Sequence, residues 1–322
     1  MIERERESSV ASAGGGNRLA RGPVRLVRTP LWLGAERRGV ELGADAIETG
    51  LRARPASPVA ERLLPSITIP APEPHDADSR LNRGDLTFLP EIAATCSGLA
   101  DEVAAAIARG ELPVALGGDH ALAAGSITGA ATSAERLGVL WFDSHADLNT
   151  PESSPSGHVH GMSLAAVLGV GPAALVDLGR PGPKVAPEDV CLLGTRGLDP
   201  GERALIAARG VWMLPMEEWT DAGLLPGLEA ALDHLATRGV DAVHLSFDVD
   251  VLDPLELPGT GTPVIGGLTV REASRVLRRL RIADLPFVAV DWVELNPLLD
   301  PTGRSTTVAV SLLATLLGET VR

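Results

Sequence analysis

Short apolar runs alternate with longer stretches of helical periodicity along almost the whole chain. Residues 112–116, 137–141, 190–194, 211–214 and 287–290 are continuous apolar runs and 242–247 is a mostly apolar one, all too short for helices. Runs of this kind predict strands buried on both faces, the situation of a parallel sheet. Between them, 92–109, 200–209, 225–238 and 269–280 read as helices, and 307–318 reads as a final packed helix. Residues 23–28 are an expected first strand, 43–51 a weak helix, and 70–83 a proline- and charge-rich surface loop. Strands alternating with helices predict βαβ units, hence an α/β fold whose mostly parallel sheet is covered on both faces. In such folds ligands sit at the carboxyl ends of strands. The polar clusters of this chain follow its apolar runs. Residues 1–22, with Glu-Arg repeats and Gly14-Gly15-Gly16, are expected to be disordered, leaving 23–322 as one domain.

Composition narrows the function classes. A formal charge of −14 argues against nucleic acid and against an anionic membrane surface as partners. Cys96 and Cys191 are too few for a disulfide framework or a zinc cluster and read as small buried hydrophobes. Residues 1–17 lack the apolar centre of a signal peptide, and no apolar run is long enough to span a bilayer, so a cytoplasmic protein is expected.

The chemistry is concentrated after three of the strands. Asp143, His145 and Asp147 follow the run 137–141 at spacings of two, which in an extended segment sends all three side chains to one side. Asp248 and Asp250 repeat the pattern after 242–247, and His120 follows 112–116 in Gly117-Gly118-Asp119-His120. Carboxylates this close raise each other's pKa unless a cation lies between them. Mixed carboxylate and imidazole donors fit manganese, iron(II) or cobalt, and six protein ligands are too many for one catalytic ion that keeps an open position. Two ions sharing carboxylates fit better, and such a pair lowers the pKa of water between them.

Gly117-Gly118-Asp119-His120, Asp143 to Asn149, Ser156-Gly157-His158-Val159-His160-Gly161, Phe247-Asp248-Val249-Asp250 and Gly259-Thr260-Gly261-Thr262-Pro263 resemble, in order, the signatures of the ureohydrolase family. That family includes arginases, agmatinases, guanidinobutyrases and formimidoylglutamases. Asn149-Thr150-Pro151 and Ser156-Gly157 make the likeness closer to arginases. The resemblance implies a three-layer α/β/α fold with two Mn2+ ions. One ion would be held by His120, Asp143, Asp147 and Asp248, the other by His145, Asp143, Asp248 and Asp250, with Asp143 and Asp248 bridging. It further implies that Asp147 passes a proton to the departing amine, that His160 shuttles protons and that Glu294 pairs with the guanidinium group. Asn149 and Ser156 would bind the substrate's α-carboxylate and Asp199 its α-amino group. Thr262, in the rigid loop 258–263, either touches the substrate or shapes that loop. His158 stands where arginases usually carry asparagine; it can still donate to the substrate's carboxylate, and its greater bulk would allow a shorter, longer or decorated guanidino substrate. Gly197 lacks a second carboxylate found in many arginases, which weakens the amine site. The expected reaction is hydrolysis of L-arginine to L-ornithine and urea by a homotrimer or homohexamer. The alternatives are a relative acting on agmatine, guanidinobutyrate, N-hydroxyarginine or formimidoylglutamate, and a non-catalytic metal-binding subunit.

Overall fold

The computed structural model describes residues 16–54, 57–81, 83–84 and 86–319. Among them the strands are β1 (Val24–Thr29), β2 (Ile67–Thr68), β3 (Leu112–Gly117), β4 (Leu137–Phe142), β5 (Val190–Leu193), β6 (Trp212–Leu214), β7 (Ala242–Asp248) and β8 (Phe287–Val293). They form one sheet in the order β2-β1-β3-β8-β7-β4-β5-β6, and every neighbouring pair is parallel. The expected α/β fold is therefore present, with parallel pairing throughout. The unbroken apolar runs have the physical cause assigned to them: β3, β4, β5, β7 and β8 are buried along their whole length, while the edge strands β2 and β6 are partly exposed.

Successive strand residues feed two different cores. Leu140 and Phe142 of β4 join one cluster with Ala44, Leu228, Leu277 and Leu313 from the helices Gly43–Arg52, Leu224–Arg238, Val270–Leu280 and Arg304–Leu316. Val139 and Trp141 join the other with Ile92, Leu99 and Ile127 from the helices Leu89–Ala108 and Ala123–Ala131. The result is three layers, α/β/α. Each buried Leu, Ile or Phe contributes roughly 1.5–3 kcal/mol, so the two clusters together supply most of the driving force.

Several local features depart from the sequence expectations. Helix Ala123–Ala131 had no amphipathic signal because almost all of it is buried, and its small residues serve close packing. A Cβ at Gly125 would stand 2.3 Å from the Cys96 carbonyl oxygen, which only glycine permits at this helix crossing. The two-residue strand β2 is too short to carry a pattern, and the 70–83 loop contains one helical turn, Ala77–Arg80. Of the 1–22 segment, residues 1–15 lie outside the described residues. Asn17 donates to the Leu280 and Ala283 carbonyls (2.8 and 3.0 Å) and Leu19 is buried, so contact with the fold begins before residue 23. No helix among the described residues is long and apolar enough to cross a membrane.

Lys184, the one lysine of the chain, is buried and donates its ammonium to the carbonyls of Val176, Arg180 and Gly182 at 2.5, 2.7 and 2.6 Å. Lys184→Met keeps the aliphatic length and strands three acceptors. It is expected to lower unfolding stability by about 2 kcal/mol, read from the urea midpoint, with catalysis unchanged. An unaltered midpoint would mean that the ammonium contributes nothing to closing this loop.

Candidate metal centre

The sheet register assembles the site. Phe142 of β4 pairs with Phe247 of β7, so Asp143 and Asp248 emerge next to each other at the carboxyl edge. Phe247 also pairs with Trp292 of β8, and Leu116 of β3 with the same Trp292, which brings His120 and Glu294 to that edge. The four strands that bear the cluster, β3, β8, β7 and β4, are consecutive in the sheet.

His120 Nδ1 lies 3.1 Å from Asp143 Oδ2, 3.1 Å from Asp147 Oδ2 and 3.3 Å from Asp248 Oδ2. His145 Nδ1 lies 3.1 Å from Asp250 Oδ2 and 3.4 Å from Asp143 Oδ1. Two donor sets thus share Asp143, one with His120 and Asp147, the other with His145 and Asp250. Separations near 3 Å suit donors around one ion at bond lengths of about 2.1 Å. His120 Nδ1 and Asp147 Oδ2 are buried without a hydrogen-bond partner, the state expected of atoms whose partner is a metal ion. All six expected ligands are brought together.

The route to convergence differs from the extended alternation expected. Asp147 has φ 51°, a left-handed conformation rare outside glycine, and Asp250 lies in the 3₁₀ turn Val249–Val251. Turns bend both loops around one point. Further bonds fix the ligands. His120 Nε2 meets Ser246 Oγ at 2.8 Å, its ring stacks on Trp141 at 4.1 Å, and Trp141 Nε1 donates to Asp143 Oδ2 at 3.0 Å. Asp143 Oδ1 accepts from the His145 N–H and Asp248 Oδ1 from the Asp250 N–H, both at 2.7 Å. Locking the far nitrogen of a ligating histidine fixes its tautomer and aim.

Without a cation the cluster is electrostatically frustrated. Burial, then the charges of Asp250 and Asp143, push the Asp248 carboxyl well above the usual range. Burial opposes the charging of His145, yet Asp250 and Asp143 hold it up at about 12. Each imidazole acts as a substitute cation for the acids around it.

Glu294 also has a positive φ, 66°, and its Oε1 accepts from the His120 N–H at 2.8 Å and lies 3.0 Å from His160 Nδ1. Burial alone would lower the His160 pKa; the hydrogen bond and charge of Glu294, with Asp147 and Asp119, outweigh it and raise it to about 9. Strained backbone at two polar residues of neighbouring chambers, Asp147 and Glu294, is a mark of a working site.

Two chambers open at this edge. The first, about 170 Å3, is lined by His145, Asp147, Asn149, Ser156, Asp199 and Thr262, among others. The second, about 240 Å3, adjoins it at His160 and Thr262 and is lined also by Arg37, His158 and Glu294. Asn149 Nδ2 donates to Asp199 Oδ2 at 2.9 Å, and Thr262 Oγ1 to Asp250 Oδ2 at 3.3 Å. His158 therefore lines a different chamber from Asn149, Ser156 and Asp199. Sequence reasoning missed Ser154 and Glu202 in the first chamber. Glu202 is the third residue after Asp199 and accepts from the Asp199 and Leu148 N–H groups at 2.9 and 3.1 Å, closing a capping box whose D-x-x-E spacing was legible.

Known proteins match the chain along nearly its whole length. A profile described as the arginase family matches residues 23–318. The arginase of Bacillus caldovelox is 42% identical over 92% of this chain and 98% of its own, and that of Bacillus subtilis 38% identical with the same coverage. The crystal structure of the Bacillus subtilis arginase superposes with a TM-score of 0.84 at 37% identity, covering 94% of this chain and all of that one. With the site geometry and these likenesses together, the chain belongs to the arginase family.

Proposed function

We propose that this protein hydrolyses the guanidino group of L-arginine, releasing urea and L-ornithine, with two manganese ions. The observation that carries the reading is the pair of donor sets sharing Asp143, of which His145 and Asp147 line a chamber together with Asn149 bonded to Asp199. His120, Asp143, Asp147 and Asp248 hold one ion, and His145, Asp143, Asp248 and Asp250 hold the other. When bound, the ions supply Lewis acidity that lowers the pKa of water at the site.

The remaining chemistry belongs to side chains. Glu294 orients the planar guanidinium through a carboxylate, a pairing that suits both shape and charge. Asp147 passes a proton to the departing amine, and His160, supported by Glu294, moves protons at the mouth. Asn149 and Ser156 receive the α-carboxylate, Asp199 the α-amino group, while His158 and Thr262 border the substrate. The protein works in the cytoplasm as a homotrimer or homohexamer.

The test is urea release from L-arginine, agmatine and 4-guanidinobutyrate by manganese-loaded protein. L-arginine is expected to be preferred. Asp199→Asn keeps the helix cap, since asparagine caps as well as aspartate, but removes the charge. It is expected to lower kcat/KM for L-arginine roughly thirtyfold, about 2 kcal/mol, mainly through KM. Full activity in that variant, or a preference for agmatine, would remove the α-amino acid from the reading.

A further inference from the structure

Arg196 follows β5 at the site's edge and has none of the roles given above. Its guanidinium bonds carbonyls only: Nη2 donates to Asp250, Val264 and Leu252 (2.8, 2.7 and 3.2 Å), Nη1 to Gly194 and Val251 (3.2 and 3.3 Å), and Nε to Val264 (3.2 Å). Among the described residues it makes no ion pair with a carboxylate. Its own N–H and that of Gly197 both donate to the Ser144 carbonyl, each at 2.8 Å. Ser144 in turn donates its N–H and Oγ to Asp250 Oδ1 at 3.0 and 2.8 Å. One residue therefore joins the loop between Asp143 and His145 to the loop that begins at Asp250 and reaches Val264, two residues past Thr262. Gly267 makes room for it: a Cβ there would stand 2.6 Å from Arg196 Nη2.

The contacts are lopsided with respect to the two donor sets. Asp250 is held directly and His145 through its neighbour Ser144, whereas among the described residues no hydrogen bond runs from Arg196 to His120 or Asp147. We propose that Arg196 is a positioning residue for the His145–Asp250 half of the centre, setting affinity for the second ion and leaving the first untouched. Only a planar fork with five donors spans carbonyls pointing in several directions, which lysine cannot do. The inference rests on the two-ion reading of the cluster.

Manganese titration of the metal-free full chain by calorimetry, with electron paramagnetic resonance to detect the coupled pair, tests it. For Arg196→Gln the first ion is expected to bind as in the wild type, the second roughly ten- to a hundredfold more weakly, and the coupled-pair signal to appear only at correspondingly higher manganese. Arg62→Gln is the control, because Arg62 also clamps carbonyls, those of Leu19, Gly22 and Leu317 among them, far from the site. It should lower the melting temperature without moving the second-ion affinity. If the glutamine variant does not fold, Arg196→Lys should show the same asymmetry at smaller size. Equal weakening of both ions, or no weakening, overturns the inference; fewer than two ions in the wild type overturns the two-ion reading beneath it.

Discussion

Replacing Asp248 with alanine is expected to leave less than one tightly bound ion per chain and to cut urea release at least a thousandfold, about 4 kcal/mol of transition-state stabilisation. The effect is large because this carboxylate does two things. Its Oδ2 faces His120 at 3.3 Å, in the first donor set, while its Oδ1 accepts the Asp250 N–H at 2.7 Å and so anchors the second. His145→Ala removes a donor from one half and is expected to spare the other ion. Metal analysis beside a urea assay reads both variants. An Asp248→Ala enzyme with two ions and a tenth of normal activity would sink the shared-carboxylate arrangement. Unfolding is an unsuitable explanation for the loss, since burial beside Asp250 and Asp143 makes Asp248 a liability in the metal-free protein. Its raised pKa means that ionisation costs stability as pH rises. The metal-free variant is therefore expected to melt no lower than the metal-free wild type at neutral pH.

Glu294→Gln is the second large case. It preserves size and one acceptor but removes the buried charge that supports His160 and is proposed to meet the guanidinium. A fall in kcat/KM of roughly a hundred- to a thousandfold is expected, as for removal of one preorganised electrostatic partner. A stability signature accompanies it. The folded pKa of His160 is raised from 6.5 to about 9, so its pairing stabilises the metal-free fold fully below 6.5 and is lost as pH rises through 9. Without the Glu294 charge, burial pulls that pKa back down. The stability gap between metal-free wild type and variant should accordingly be wider at pH 6 than at pH 10, measured by urea unfolding. A gap independent of pH would mean that His160 and Glu294 are not a charged pair.

The legibility of the chain followed burial. β4 was readable because a strand covered on both faces is an unbroken apolar run, β7 because most of its residues are apolar, and the helix Val270–Leu280 because one face is solvated and its Thr269–Glu272 capping box is intact. The helix Ala123–Ala131 was not, because burial on all sides erases periodicity. The same logic covers the site. Asp143, His145, Asp147, Asp248 and Asp250 stood out as charges directly after apolar runs, where burial without a cation is costly. Arg196 did not, because an arginine that bonds only carbonyls leaves no partner residue type to find in the sequence.

The sequence by itself determined most of the strand and helix succession, the parallel sheet and the identity of the six candidate ligands. Each of these rests on residue type and near-neighbour spacing, which the chain carries locally. Only the tertiary structure decided that Asp143 lies beside Asp248, because that depends on the Phe142–Phe247 register between strands a hundred residues apart. It also decided that turns at Asp147 and Asp250, rather than extended alternation, close the donor sets, and that His158 faces the second chamber. Backbone turns and chamber walls are settled by what packs around them, and no local spacing encodes that.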